Sequence, residues 1–581
     1  MLNNPRVDHQ VVLHSASQQQ WLRFTQPVKI IAANSIEEVL PRLQEVNRLV
    51  QEQHLWAAGF LSYEAAAAFD SILRTYQIAD FPLLWFGLYE QPKVIELAEP
   101  TTRFELDWRS TITKEQYDSA IAKIKHYISC GDTYQVNYTT RLEADFTGDP
   151  WQYFLSLVAA QQANYGAYLE LPDFTICSAS PELFFTLDSS EIVSRPMKGT
   201  AARGYTLKSD RALAQWLQSS AKNQAENVMI VDMIRNDLSR IAQLGTVEVS
   251  SLFDVERYPT LWQMTSTVKA QTEAALPEIM QALFPCASIT GAPKASTMQI
   301  IQELEPTPRK IYTGTVGYIT PQNQAQFNVA IRTVLLDRVN QKAEYGVGGG
   351  IVWDSASASE YEECQIKARV LLSKTQPFDL LETLLWKPDR GYFLLDYHLQ
   401  RLQDSANYFG YLLDLALVQK QLTLVANKLH DCTHKVRLLV NQQGQITIEP
   451  TPFELTPQVV KLAIADKPID INNPFFYHKT TNRQLYQQIK QAHPDCDDVI
   501  LWNERQEITE TCIYNLVVQK DGKLLTPPVE CGLLAGTMRA YLLEQEKIEE
   551  AVIKLADLSQ CEAIYLVNSV RQWQQGTITQ N

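Results

Sequence analysis

The stretch from Glu182 to Thr200 constrains the fold more than any other part of this 581-residue chain. Glu182 to Leu187 is apolar and β-prone, Asp188-Ser189-Ser190-Glu191 reads as a turn, and Ile192-Val193 restarts a strand, which predicts an antiparallel hairpin. With Leu187 opposite Ile192, Glu182 falls opposite Met197 and within one residue of Lys198. The lysine itself is expected in a tight turn bounded by Pro196 and Gly199. A free lysine has a pKa of about 10.4 and becomes a nucleophile at neutral pH only where burial or cationic neighbours lower it. Glu182 alone would raise it, so in isolation the pair reads as a structural ion pair, and the rest of the chain has to decide.

A chain of this length is too long for one core, and 45% hydrophobic residues supply two or more. The net charge of −15, without a Lys/Arg run, argues against nucleic acid as a partner. The nine cysteines have no C-x-x-C pair or zinc-like spacing, which predicts reduced thiols, no disulfides and no zinc. Residues 1–20 carry no secretory apolar core and no run of 18 apolar residues occurs, so a soluble, cytoplasmic protein away from membranes is expected.

Along the chain, Gly59 to Glu64 reads as a turn-rich stretch of little chemical interest. A helix from about Lys114 to Cys130 is stopped by Gly131-Asp132 and followed by a strand over Thr133 to Arg141. Ala225 to Ile241 has apolar residues, Val228 included, at helical spacing, with Glu226 at its N-terminal end. Ala287 to Lys294 is a small-residue loop before a helix, where backbone amides suit an anion. Gly346-Val347-Gly348-Gly349-Gly350 lets a ligand reach the backbone. A serine cap at Ser357 is expected to open a helix with Glu360, Glu363 and Lys367 on one face, a pattern of a solvated surface or of a Mg2+ site. The polar segment 373–377 is placed as a linker between a first domain, 1–372, and a second, 378–581.

Six motifs in order over roughly residues 50–372 resemble the chorismate-utilising family that includes anthranilate synthase and aminodeoxychorismate synthase component I. They are Gly131 to Asn137, Ser178 to Phe184, Pro196 to Thr200, Glu226 to Arg240, Ile289 to Lys294 and Gly348 to Lys367. Anthranilate synthases carry alanine where this chain has Lys198, and the water-adding branch carries lysine where it has Gln135, so the resemblance selects the aminodeoxychorismate branch. It implies Lys198 attacking C2 of chorismate, Glu182 as its acid/base partner, and Mg2+ held by Glu226 and Glu363 with Glu360 near it. Tyr312, Arg332, Lys367, Thr290 and the Gly348, Gly349 and Gly350 backbone would bind substrate. Gln263 stands where many relatives have histidine and is given no proton-transfer role. No G-x-C-x-G surrounds a cysteine, so a separate glutaminase subunit is implied as the ammonia source.

In the second domain, Asp396 to Leu402 begins a helix, Lys435 to Val440 is a strand, Ile508 to Leu516 alternates into a strand, and Leu533 to Arg539 opens a helix suited to phosphate. Together with Tyr477 to Arg483, these residues resemble the fold-type IV pyridoxal-phosphate enzymes. That resemblance implies Lys479 forming the Schiff base to pyridoxal 5'-phosphate and Glu510 on the pyridinium nitrogen. Arg401, Thr537 and the backbone near Ile513 and Tyr514 would hold the phosphate, with Arg539, Asn568 and Ser569 contacting substrate. The fusion points to conversion of chorismate to 4-amino-4-deoxychorismate, then pyruvate elimination to 4-aminobenzoate, a folate precursor. The alternatives are an amino-acid aminotransferase or an inactive docking domain as the second half. The expected architecture is α+β, antiparallel sheets flanked by helices, followed by a class IV aminotransferase-like two-subdomain α/β fold.

Overall fold

The computed structural model describes residues 9–102, 104–161, 163–372, 377–429, 431–454 and 459–579. Most of the expected linker, residues 373–376, therefore lies outside the described residues. The chain divides into two compact units, Met1–Arg203 with Leu213–Thr375, and Gly204–Ala212 with Gln376–Asn581.

In the first unit, two ten-stranded sheets carry the motifs. Helix α1 (Lys114–Cys130) opens with a capping box, the Thr113 hydroxyl accepting from the Gln116 amide, and ends at Gly131 in the left-handed region, φ 81°. It leads into β1 (Gln135–Asp145). One sheet then runs β1, β9 (Lys342–Ile351), β8 (Thr333–Asp337), β2 (Phe174–Ser180). The other contains β5 (Met197–Ala202), β6 (Leu261–Gln271), β4 (Glu191–Arg195), β3 (Leu183–Asp188) and β7 (Ala325–Val329) as neighbours in that order. Helix α2 (Ala221–Ser239) packs its Ile230, Val231, Ile234 and Leu238 stripe into the core of the second sheet, each side chain contributing about 1.5–3 kcal/mol relative to exposure. Val228, read from sequence as part of that stripe, is exposed. Helices α3 (Lys294–Leu304) and α4 (Ser357–Ala368) complete the frame. The cap of α4 is Ala356; Ser357 is instead the first helical residue and its hydroxyl bonds Asp118.

The hairpin of β3 and β4 forms with Leu187 opposite Ile192, as its pattern requires. A bulge then moves the register by one, so Leu183 faces Arg195. Lys198 does not sit in a turn: it lies on β5, where the pairing with β6 slips between Met197 and Thr200. Gly199, at φ 100°, makes that slip possible, because a side chain would resist the left-handed conformation. Gly59 to Leu61 is likewise strand, not turn, and Tyr63–Ala68 is a short 3-10 helix.

In the second unit, β10 (Leu380–Lys387) pairs with β11 (His434–Val440) in a four-stranded antiparallel sheet, backed by α5 (Leu395–Phe409). An eight-stranded mixed sheet contains β12 (Asp498–Trp502), β13 (Ile508–Thr511), β14 (Asn515–Lys520), β15 (Ala563–Asn568) and β16 (Gln572–Ile578). Helix α6 (Gln484–Ala492) precedes β12, and α7 (Thr537–Glu544) lies between β14 and β15 in sequence.

Candidate functional site

Each unit holds a cavity around a lysine. In the first, β5 supplies Lys198, α2 supplies Glu226, β9 supplies Gly346, Gly348 and Gly350, and α4 supplies Glu360, Glu363 and Lys367. Glu182, Gln263, Tyr312 and Arg332 complete the set that sequence brings here. Lys198 is 9% exposed, and its Nζ makes no hydrogen bond or ion pair among the described residues. Burial lowers its pKa, opposed by the Glu226 carboxylate and assisted by the Lys367 ammonium. The structural ion pair is thus not what the fold makes of Glu182 and Lys198.

Glu182 is 2% exposed, accepts from the Ser288 hydroxyl at 2.6 Å and the Met197 amide at 3.3 Å, and burial pushes its pKa up to about 7. A carboxyl group poised there can give or take a proton at neutral pH. Gly350 is required for close approach: a Cβ on it would collide with Lys198 Nζ and come within 2.8 Å of Gln135 Nε2. Gln135 is fully buried, and neither its amide nitrogen nor its oxygen has a partner among the described residues. Sequence reasoning used it only to exclude a branch; its open hydrogen-bonding capacity beside the lysine emerges from the fold.

Arg332 is 6% exposed and held at φ 50°, a conformation that costs a non-glycine residue about 1–2 kcal/mol. Its guanidinium lies 5.3 Å from the Tyr258 ring and its NH1 is buried without a hydrogen-bond partner among the described residues, so an anionic group is wanted there. Lys367 donates to Gly348 O at 2.8 Å and pairs with Glu363 at 2.7 Å. Glu360 accepts from the Ser355 hydroxyl at 2.6 Å. Glu226, Glu360 and Glu363 face one cavity, yet no three acidic, histidine or cysteine groups converge as a ready metal cluster among the described residues. Gly349 leaves room for the α4 side chains, a Cβ there meeting Glu360 Oε2 at 3.5 Å and both Glu363 Oε1 and Lys367 Nζ at 3.8 Å. Thr290 departs from its expected place: fully buried, it donates its hydroxyl to the Cys286 and Ala287 carbonyls, and Ser288 and Ile289 form the wall instead. Gln263 donates to Gly199 O at 2.8 Å and accepts from Thr200 at 3.3 Å, steadying the bulge that carries Lys198.

Missing from the sequence reading is Arg309, 1% exposed, which pairs with Glu305 at 2.6 Å and donates to Ile289 O and Asn137 O. It ties two wall segments of the cavity together. Only the Glu305–Arg309 spacing hinted at it.

In the second unit, Lys479 lies just before α6, and burial with the Arg401 and Arg483 cations lowers its pKa to about 7. Glu510 on β13 accepts from Tyr486 OH at 2.7 Å, and burial raises it to about 7. Arg401 on α5 is gripped by Glu382, Nε to Oε1 at 2.9 Å and NH2 to Oε2 at 2.7 Å, while His398 Nδ1 lies 2.6 Å from Glu382. Thr537 opens α7 at the cavity wall beside Arg401 and Gly536. These residues line one cavity with Lys479 and Glu510. Ile513 and Tyr514 line the cavity as well, with Ile513 N donating to Asp498 and Tyr514 N to Thr511. Arg539 is turned away, buried against Pro527 O and Glu550. Asn568 and Ser569 do line the cavity.

This constellation defines an enzyme-like chain of two joined catalytic folds. Residues 93–373 match the family of chorismate binding enzymes and residues 379–577 match amino-transferase class IV, so the chain joins a chorismate-binding enzyme domain to a class IV aminotransferase domain. It is 42% identical over 272 residues to aminodeoxychorismate synthase component 1 of Escherichia coli, covering 46% of this chain and 60% of that protein. With aminodeoxychorismate synthase component 1 of Bacillus subtilis the identity is 35% over 320 residues, 55% of this chain and 66% of that one. The chain thus matches less than two thirds of the length of these relatives. Anthranilate synthase component I of Streptococcus pneumoniae shares the fold of the first unit, with TM-score 0.52 at 24% identity over 64% of this chain and 93% of that one. No described helix is long and apolar enough to cross a membrane.

Proposed function

We propose that the first unit aminates chorismate to 4-amino-4-deoxychorismate through a covalent adduct on Lys198, and that the second eliminates pyruvate from it to give 4-aminobenzoate. The observation that carries the reading is the unpaired, buried Lys198 amine beside a near-neutral Glu182. Lys198 attacks C2 as the C4 hydroxyl departs with a proton from Glu182; ammonia then adds at C4 and the lysine leaves. Arg332, with Tyr312 lining the same cavity, holds one carboxylate. Mg2+ fits Glu226 and Glu363, with Glu360 near, because that cation is content with one or two carboxylates plus a substrate oxygen. The relatives' name, component 1, supports a separate partner, a glutaminase supplying ammonia.

The second cavity fits pyridoxal 5'-phosphate: Lys479 provides a near-neutral amine, Glu510 a carboxyl for the ring nitrogen, and Arg401 with Thr537 a phosphate end. The cofactor, when bound, supplies an electron sink. Lys479 moves the proton from the amine-bearing carbon, and Glu382 keeps Arg401 aimed.

Product analysis of the chain with chorismate, Mg2+, ammonium and pyridoxal phosphate tests this, run beside Lys198→Ala and Lys479→Ala. Wild type should yield 4-aminobenzoate with pyruvate, Lys479→Ala should stop at aminodeoxychorismate, and Lys198→Ala should make neither. A wild type that halts at aminodeoxychorismate overturns the lyase assignment.

A further inference from the structure

Besides Arg483, which donates to the Cys512 carbonyl, the second cavity contains two cations that the cofactor does not use. Lys479, Glu510, Arg401 and Thr537 account for its aldehyde, ring nitrogen and phosphate. Lys435 on β11 and Arg571 in the turn between β15 and β16 also line the cavity, from elements that carry none of those groups. Neither meets a carboxylate within salt-bridge distance among the described residues, whereas Arg437, two residues along β11, faces Glu449 at 3.6 Å. The Arg571 guanidinium carbon lies 5.8 Å from the centre of the Phe453 ring and 6.0 Å from that of the Tyr514 ring. Its backbone amide donates to Asn568 Oδ1 at 2.7 Å, which fixes the turn. Aromatic neighbours attract a guanidinium without consuming its N–H donors, so the fork stays available for a planar, bidentate acceptor, and a carboxylate is the acceptor that matches it.

We propose that Lys435 and Arg571 form a subsite for a substrate carboxylate remote from the reacting amine, making this cavity selective for a cyclic amine bearing two carboxylates. The proposal rests on the reading of the second site given above and deepens it. An ordinary amino acid carries its carboxylate on the carbon that bears the amine. In 4-amino-4-deoxychorismate both carboxylates lie elsewhere, one on the ring and one on the enolpyruvyl ether, so a site for it needs cations away from Lys479. The same two cations are unused by a simple amino acid such as alanine, and would separate a lyase from a general aminotransferase.

The test uses the full chain loaded with pyridoxal phosphate, with Mg2+ and ammonium withheld, titrated with aminodeoxychorismate while pyruvate release and the absorbance of the bound cofactor are followed. Arg571→Gln should raise the half-saturating concentration at least about tenfold, the size expected for loss of charge-assisted bonds. Lys435→Gln should raise it about threefold, Arg571→Lys should recover part of the loss, and Arg437→Gln should change nothing. The maximal rate should fall far less than the affinity, and the cofactor absorbance should remain that of wild type, so a merely misfolded variant is recognised. With alanine as the amine, the concentration dependence of the absorbance change should be the same in all variants. The subsite is overturned if Arg571→Gln and Lys435→Gln stay within twofold of wild type for aminodeoxychorismate, or lose alanine equally. If wild type releases no pyruvate but its absorbance still titrates with aminodeoxychorismate, the elimination reading falls and the subsite is scored on that titration. No response at all to aminodeoxychorismate overturns both.

Discussion

The two lysine cavities solve the same problem with opposite surroundings. Lys198 is lowered by burial against a field of carboxylates, Glu226, Glu360 and Glu363, that favour its charged form, with Lys367 as the cationic counterweight. Lys479 is lowered to about 7 by burial and by two guanidinium groups acting in the same direction, which outweigh the Glu382 and Glu510 carboxylates. On the proposed function, the first cavity would be finished by a divalent cation that neutralises the carboxylates, and the second by the anionic phosphate of pyridoxal phosphate at Arg401. An amine can therefore be kept reactive either way, and its neighbours report the charge of what it awaits.

The strongest break in the comparison comes from removing each lysine separately. Lys198→Ala should lower aminodeoxychorismate formation by about a thousandfold or more, following the usual scale for loss of a covalent nucleophile, while pyridoxal phosphate uptake stays intact. Lys479→Ala should do the reverse, abolishing the bound-cofactor absorbance and leaving the first reaction unchanged. Next, Gly350→Ala should cost about 10- to 100-fold in the first reaction alone, because the added methyl collides with Lys198 Nζ. Steady-state rates for both reactions check it.

A smaller effect concerns pH. Uptake of pyridoxal phosphate by the cofactor-free chain needs the neutral Lys479 amine, so its rate should fall as pH drops through about 7 rather than through the value of a free lysine. Arg483→Gln should move that midpoint upward, by about half a unit to one unit, since one of the two depressing cations is gone. Stopped-flow absorbance between pH 6 and 9 would measure both midpoints, and an unmoved one would remove the arginines from the account. The smallest concerns stability. Glu182 keeps its proton in the native state up to about pH 7, while the unfolded chain releases it near 4.5, so this group's contribution is present below 4.5 and lost as pH rises to 7. Glu182→Gln should flatten the fall of Tm across that window, by an amount on the order of 1–3 kcal/mol in unfolding free energy.

The same contrast shows what could be read without coordinates. The β3–β4 hairpin, the ends of α1 and the helical spacing of α4 follow from local rules, and many residues of both cavities were legible because motifs keep them in order along the chain. Thr290 and Arg539 lie off the cavities for a common reason. Each has the right residue type or loop position, but its polar groups are spent on neighbours: Cys286 and Ala287 for the first, Glu550 with Pro527 for the second.

By itself, then, the sequence determined which lysines, carboxylates and glycines the chain can bring to a site, since alternation, turn chemistry and helical period act over a few residues. Only the tertiary structure decided that Lys198 stands on a bulged strand without an ion-pair partner, that Gln135 is left with its amide unsatisfied beside it, and that Arg309 clamps the cavity wall. It also decided that Lys435 and Arg571, more than a hundred residues apart, line one cavity with no carboxylate within salt-bridge distance among the described residues. Burial and charge neighbourhood are sums over segments distant in the chain, and a local pattern carries no term for them.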